Sequence, residues 1–250
     1  LDTNFQQDSS YIVRAAYDKT WLNSLGGELL VGAQFGRNNS IGIDLYQPVE
    51  ARQRYFLESS LSYGSETFGI YENNHKLANY EITRGTASLG AGMNVGLLGQ
   101  LRVGWRQNWL ESNLETGVPS AVFPANANKS YGGAYAALDF DQMDRLYFPT
   151  KGWASRLGYF NSPTAEYSKL YALAFGAYSL GDYVLNAKLQ YQGSAHGVLP
   201  TYDTATLGGF YNLTGFVQNQ LNGDSIRYAG MRIEKIIGRL PMGLRGDMRA

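Results

Sequence analysis

The chain has 250 residues, with 21 basic and 21 acidic side chains, so its formal net charge is zero and it lacks the basic footprint of a nucleic-acid binder. It contains no cysteine, which removes disulfide frameworks, thiolate metal sites and cysteine nucleophiles. No stretch approaches the roughly 18 consecutive apolar residues of a membrane helix, and no segment sustains a helical period.

Residues 1–9 are polar and lack the basic and apolar regions of a signal peptide. They read as a linker, and without an initiator methionine the chain reads as an excised part of a longer one. From residue 10 onward the dominant signal is alternation at period two. In YVLNAKLQYQ (183–192), Tyr183, Leu185, Ala187, Leu189 and Tyr191 alternate with Val184, Asn186, Lys188, Gln190 and Gln192, which marks a strand with one apolar and one wet face. ELLVGAQFG (28–36), IGIDLY (41–46) and QLRVGWRQN (100–108) repeat the pattern.

Twelve strands are predicted, near 10–20, 27–37, 40–48, 53–64, 66–73, 77–95, 100–110, 129–141, 152–161, 166–179, 182–195 and 225–237. The sixth changes its apolar phase, from Tyr80 and Ile82 to Ala87, Leu89, Ala91 and Met93, as a β-bulge would cause. Even-numbered strands leave by tight turns at 37–39, 96–99 and 180–182, and odd-numbered ones by loops such as 111–128 and 196–224. Short turns at one end and long loops at the other suit an outer-membrane barrel.

Soluble all-β domains alternate too, but strands of ten or more residues exceed their mean of about 5–6 and match the ~9–11 needed to cross a bilayer at a tilt. Trp21, Tyr46, Tyr63, Tyr71, Trp109 and Tyr183 fall near strand ends, as interfacial aromatic girdles do. The reading is therefore all-β, a transmembrane antiparallel barrel occupying 10–250. GRLPMGLRGDMRA (238–250) makes a turn and begins another strand. Because an open edge in lipid leaves costly unpaired backbone groups, further strands are expected beyond it.

Three motifs carry a family resemblance. DQMDRLYFPTKGW (141–153) resembles the D-x-x-D-x-x-x-FPT-x-G turn of BamA- and TamA-type barrels, the bacterial surface antigen family. KTWLNSLGGEL (19–29) is similar to that family's first hairpin, W-x-N-x-x-G. LGGFYNLTGF (207–216) lies where the family carries its sixth extracellular loop, a GG pair followed by V-R-G-[FY]. The resemblance implies that this loop folds back onto the inner barrel wall, with Gly208, Gly209 and Gly215 permitting close backbone approach. Leu213, Thr214, Gly215 and Phe216 occupy the tetrad, and Thr214 replaces its arginine, so an arginine-to-acid contact cannot form there. The form LGGF-x-NL-[ST]-G resembles the barrels of patatin-like secreted lipases, the type V-d autotransporters. Such a protein has a lipase domain, a periplasmic linker domain that 1–9 would follow, and sixteen strands, of which about twelve would be present here.

In the turn, Asp141 and Asp144 can cap backbone amides, Pro149 pre-sets a turn angle and Gly152 restarts the strand; Phe148 and Thr150 complete the motif. These residues are expected to shape the barrel rather than touch a substrate.

Chemistry is thin. There is no G-x-S-x-G elbow. Of two histidines, His75 is expected in a loop and His196 at a strand end. GAGMNVG (90–96) imitates a dinucleotide loop without the helix that must follow, and Asn212-Leu213-Thr214 matches a glycosylation acceptor only formally. Arg84, Arg102, Arg106, Arg156, Lys188 and Arg232 face inward with Asp44, Glu58 and Glu234. Such a mixture fits a lumen laced by ion pairs, one plugged by its own loop, or simply wet side chains, rather than a ring of one sign.

No catalytic residue, metal or cofactor is assigned. The partners implied by the resemblance are outer-membrane lipid, an N-terminal passenger domain and the barrel-assembly machinery. The function implied is anchoring and export or display of an upstream lipase. An assembly or translocation factor of the TamA or BamA type, and a diffusion porin, are the alternatives.

Overall fold

Long alternating segments form long strands, and antiparallel pairing between chain neighbours satisfies their backbone groups. The structure is a computed structural model that describes residues 2–4, 10–36, 38–72, 75–119, 126–145, 148–209, 212–213, 215–216, 220–239 and 247–249. Its strands in chain order are β1 (Asp2–Asn4), β2 (Ser10–Lys19), β3 (Glu28–Gly36), β4 (Asn39–Pro48), β5 (Tyr55–Glu72), β6 (His75–Val95), β7 (Gly99–Gly117) and β8 (Asn126–Asp141). They continue as β9 (Gly152–Ser162), β10 (Tyr167–Leu180), β11 (Tyr183–His196), β12 (Ala205–Leu207), β13 (Leu221–Gly223), β14 (Ser225–Arg239) and β15 (Asp247–Arg249). Thirteen form one antiparallel sheet in which every strand pairs with its chain neighbours, and β11 pairs with β14 across the longest loop. That loop holds the small β12–β13 sheet.

The all-β antiparallel architecture matches the sequence reading, but the strand count does not. Segments 53–64 and 66–73, expected as two strands, are the single strand β5, whose register against β6 runs unbroken from Tyr55↔Met93 to Ile70↔Ala78. Gly64 and Ser65 suggested a turn. A Cβ on Gly64 would lie 2.7 Å from the Asn39 carbonyl oxygen and 2.7 Å from the Ser40 Cβ, so this glycine marks close approach of β4 instead. Among the described residues there are therefore eleven long strands, not twelve.

Removing one strand reverses which connections share an end. The turn between β3 and β4 lies at the same end as the loop 197–224, whereas the turns at 96–98 and 181–182 lie at the opposite end with 142–151. Tight turns thus occur at both ends. Residues 1–9, expected as a linker, contribute β1, which pairs with β2 through Asp2↔Ile12 and Asn4↔Ser10.

The β-bulge expected in the sixth strand between Ile82 and Ala87 is absent. β6 pairs regularly there with β5 and β7, so even positions face inward from Ala78 to Asn94. Its irregularities lie nearer its start, at Ile70/Tyr71 against β5 and Asn79/Tyr80 against β7. Of the expected girdle aromatics, Tyr63, Trp109 and Tyr183 are exposed on the outer face, and Trp21 is exposed in the turn between β2 and β3. Tyr46 turns inward, with its ring 4.6 Å from Phe56 and its hydroxyl accepting from Asn94; the Tyr71 and His75 side chains lie outside the described residues.

The continuity of β5 has a direct readout. Backbone amide exchange across 62–65 should be as slow as across 57–61, because both stretches are paired with β4 on one side and β6 on the other. Fast exchange confined to 64–65 would restore the two-strand reading.

Candidate functional site

The inner wall carries two polar assemblies, one along the sheet and one under the long loop. The first spans β5, β7, β8 and β9. Arg102 and Arg156 both bind the Asp139 carboxylate, Arg102 also lies 3.7 Å from Glu58, and Tyr135 donates to Glu58 at 2.7 Å. Arg106 sits 5.1 Å above the Tyr135 ring. Four charges from four strands within one stretch of the sheet neutralise one another. Together with the pair of Arg232 and Glu234 at 2.6 Å on β14, they make the lumen laced rather than ringed. Asp139 joins the network although it was not among the inward charges read from the sequence.

The second assembly is the loop 197–224 seated on the wall. It begins with a 3-10 turn, Thr201–Asp203, and then folds into the β12–β13 hairpin. Tyr131, Tyr167, Leu199 and Ala205 form a buried cluster with Phe160, Ala165, Tyr202 and Ile226 packed against it. Tyr131 meets Tyr202 at 5.1 Å between ring centroids. Polar anchors surround this cluster. Lys169 donates to the Asp203 carboxylate at 2.7 Å and to its carbonyl at 2.9 Å, Tyr167 donates to the other carboxylate oxygen at 2.6 Å, and Arg84 reaches the Tyr202 carbonyl at 2.9 Å.

The glycine-rich tip is held separately. Gly208 and Gly209 have φ of 135° and 93°, a region that L side chains rarely adopt. Gly209 bridges Leu213 and donates to the Phe216 carbonyl at 3.0 Å, while Phe216 donates back to Leu213 at 3.1 Å. Asn212, inside this turn, is the wall contact: Lys188 donates to its Oδ1 and Tyr228 to its carbonyl oxygen at 2.6 Å. A Cβ on Gly215 would meet none of the described residues within 4 Å. Thr214 lies outside the described residues.

The turn 142–151 stands at the opposite end. Asp144 accepts from the Thr150 amide at 2.9 Å and the Lys151 amide at 3.1 Å and from the Thr150 hydroxyl, and Asp141 accepts from the Met143 amide at 2.9 Å. Phe148 has φ of 51° and is exposed; Pro149 follows it. Gly152 has φ of 120°, and a Cβ there would lie 2.1 Å from the Gln142 carbonyl oxygen. Burial pushes the Asp144 carboxyl up, but the Thr150 hydroxyl, the two amides and Arg145 outweigh it and hold the pKa down at about 2.

The structure thus places the two groups of sequence-selected residues at opposite ends of the sheet. The residues missed by sequence reasoning are the anchors Tyr167, Lys169, Tyr202 and Asp203. Their only sequence signal was the PTYDT stretch, in which a proline precedes an aspartate in a loop. Among the described residues no cluster of three or more metal-ligating side chains occurs.

The match to known proteins follows this architecture. Residues 23–242 match the Omp85 superfamily domain. The structure is similar to BamA from Haemophilus ducreyi lacking POTRA domains 1–3, with a TM-score of 0.70 and 14% identity over 94% of this chain and 51% of that one. It is also similar to CdiB from Acinetobacter baumannii, with a TM-score of 0.63 and 16% identity over 95% of this chain and 45% of that one. The chain spans about half the length of both.

Two outcomes test these assignments. Asp144→Asn should cost about 1 kcal/mol at neutral pH by weakening hydrogen bonds to an ionised acceptor. Since the folded pKa is depressed, the contribution of Asp144 is full above the ordinary carboxylate value, about 4, and is lost as pH falls through about 2. The urea midpoint of wild type should therefore decline over that window by more than that of Asp144→Asn. Lys188→Met should free the loop tip, a loss of about 1–3 kcal/mol of docking energy, read as faster protease nicking within 197–224 with the barrel still resistant.

Proposed function

This chain belongs to the Omp85 superfamily and is part of an outer-membrane β-barrel, and from that premise we propose that it anchors an upstream patatin-like lipase domain and helps to export or display it. The single observation that carries this reading is the loop motif. In LGGFYNLTGF the tetrad arginine is replaced by Thr214, and the neighbouring Asn212 makes the contacts to the wall. Cation and acceptor are exchanged relative to an arginine-bearing loop: the wall supplies Lys188 and Lys169, and the loop supplies Asn212 and Asp203. This pairing supports a subfamily with its own loop lock rather than the assembly-factor pattern.

In this mechanism the chain itself performs no bond chemistry. The sheet forms a hydrogen-bonded wall with an apolar outside. The docked loop spans β6, β8, β10, β11 and β14 from within, tying together strands that are distant in the sheet. The passenger precedes residue 1, and the sixteen-strand barrel of the resemblance would be completed beyond residue 250. An assembly factor of the TamA or BamA type is the second reading; the structural likeness to BamA supports the shared fold without favouring that activity.

The test uses the parent protein. With an upstream lipase domain, protease added to intact cells should release that domain, and Asp203→Ala combined with Lys188→Met should lower the released amount severalfold while the barrel remains membrane-inserted. A parent with several small α+β periplasmic domains and no hydrolase, or a passenger never accessible from outside, would overturn the display reading in favour of an assembly factor.

A further inference from the structure

The outer face of the sheet is not uniform along the strands. Between Tyr55 and Tyr63 on β5, the outward positions include Leu57 and Leu61, and between Leu101 and Trp109 on β7 they include Val103 and Trp105, all exposed. Each interval is nine residues long, which matches the ~9–11 residues that carry a tilted strand across the hydrocarbon core. The upper limits are in register. Tyr63 pairs with Gly85, and Gly85 pairs with Trp109, so two aromatic rings flank a glycine. A Cβ on Gly85 would lie 3.5 Å from the Trp109 ring and 3.8 Å from Tyr63. The lower limit carries aromatics partnered by cations, Tyr55 with Arg54 at 5.6 Å and Tyr183 with Lys235 at 5.7 Å.

Past the Tyr63–Gly85–Trp109 row, toward the loop 197–224, the faces exchange character. Outward positions become Glu81 and Thr83 on β6 and Glu111, Asn113 and Glu115 on β7, with Glu81, Glu111 and Glu115 exposed. On β6 and β7 the inward positions there include the buried apolar Ala78, Tyr80 and Leu110, beside Arg84 and Ser112. Below the row, β6 presents Leu89 outward, 68% exposed, and Ser88 inward. From Gly92 to Tyr80 on β6 strand direction and pairing do not change, so on β6 and β7 the same alternation reads apolar-out below the row and largely apolar-in above it. Apolar-out next to a wet interior requires lipid outside, and apolar-in with glutamates outside requires water there.

We propose that the bilayer–water boundary at the loop 197–224 end crosses β5, β6 and β7 at the Tyr63–Gly85–Trp109 row, with the two rings seated among the lipid headgroups. The strands beyond it project from the membrane as a water-bathed extension with an apolar lining. Arg84, adjacent to Gly85 in β6, is the residue that holds the Tyr202 carbonyl. The loop is therefore docked on the wall at the height of the headgroups. This inference rests on the outer-membrane assignment but fixes a depth that the assignment leaves open.

Since none of these 250 residues is cysteine, a direct test uses outer-membrane fragments, open on both sides, of the full-length parent with any cysteine outside them replaced by serine. Single variants Glu81→Cys, Glu111→Cys, Leu89→Cys and Val103→Cys all place the thiol at an outward position exposed in the protein alone, so only lipid distinguishes them. A membrane-impermeant maleimide should label the first two at least about tenfold faster than the last two, with folding of each variant verified by heat-modifiable gel mobility. As a second measurement, spin-labelled lipids should quench Trp109 most strongly when the label is at the headgroup. Shielding of all four cysteines, with deep-chain quenching of Trp109, would overturn the boundary while leaving the membrane assignment intact. Equal labelling of all four would overturn both.

Discussion

In hydrocarbon a backbone N–H or C=O without a partner costs several kcal/mol, and everything else in this structure follows from meeting that requirement. Helices meet it within one segment; this chain meets it between neighbours, so each strand depends on the next. Neighbour-to-neighbour pairing without crossover is the consequence. It also explains why the faces can be so different, since backbone satisfaction leaves the side chains free to sort by solvent alone. The outside carries Leu, Val, Ile and Trp in the open, and the inside carries charges that cancel locally around Asp139.

Because the side chains sort by solvent, the sequence reports the solvent on each face and not the geometry of the strand. That distinction separates what was legible from what was not. Period-two alternation located most long strands to within a few residues, but it ended β7 at 110 where the strand runs to Gly117, because beyond Trp109 the apolar residues no longer fall on the outward positions, and it split β5 in two; the motifs pointed to the family. The phantom strand break at Gly64 and the phantom bulge in β6 have different causes. Glycine signals either a turn or a tight contact, and only the neighbouring strand, with the Asn39 carbonyl 2.7 Å from a would-be Cβ, decides. The phase change between Ile82 and Ala87 was a real signal attached to the wrong cause: the environment switches there, while the pairing remains regular.

The loop illustrates a second limit. Its glycine-rich tip was visible because Gly208 and Gly209 must adopt φ values open to few other residues. The anchoring residues were not, because Asp203 lies more than thirty positions from Tyr167 and Lys169 and becomes their partner only when β10 and the loop share a wall. An acid in a surface loop and an acid bonded by a buried tyrosine look alike in sequence. Tyr46 was misjudged for a related reason, since strand-end aromatics face lipid or lumen according to parity, and its parity places it inside against Phe56.

The two polar assemblies of the inner wall divide the labour of holding an otherwise hollow structure. A solid core stabilises a soluble sheet from one face, but a lumen contains water and offers no such packing. The Asp139 network stays within a short arc of the wall, from β5 across β6 to β7, β8 and β9, so it stiffens the wall locally. The loop contacts β6 through Arg84 and β14 through Tyr228, strands separated by five others in the sheet order. A chord across a curved wall opposes flattening in a way that nearest-neighbour pairs do not. The loop's small cluster around Tyr131 and Tyr167 is thus the nearest thing to a hydrophobic core in the lumen, and it gathers at one end because that is where the chain returns over its own wall.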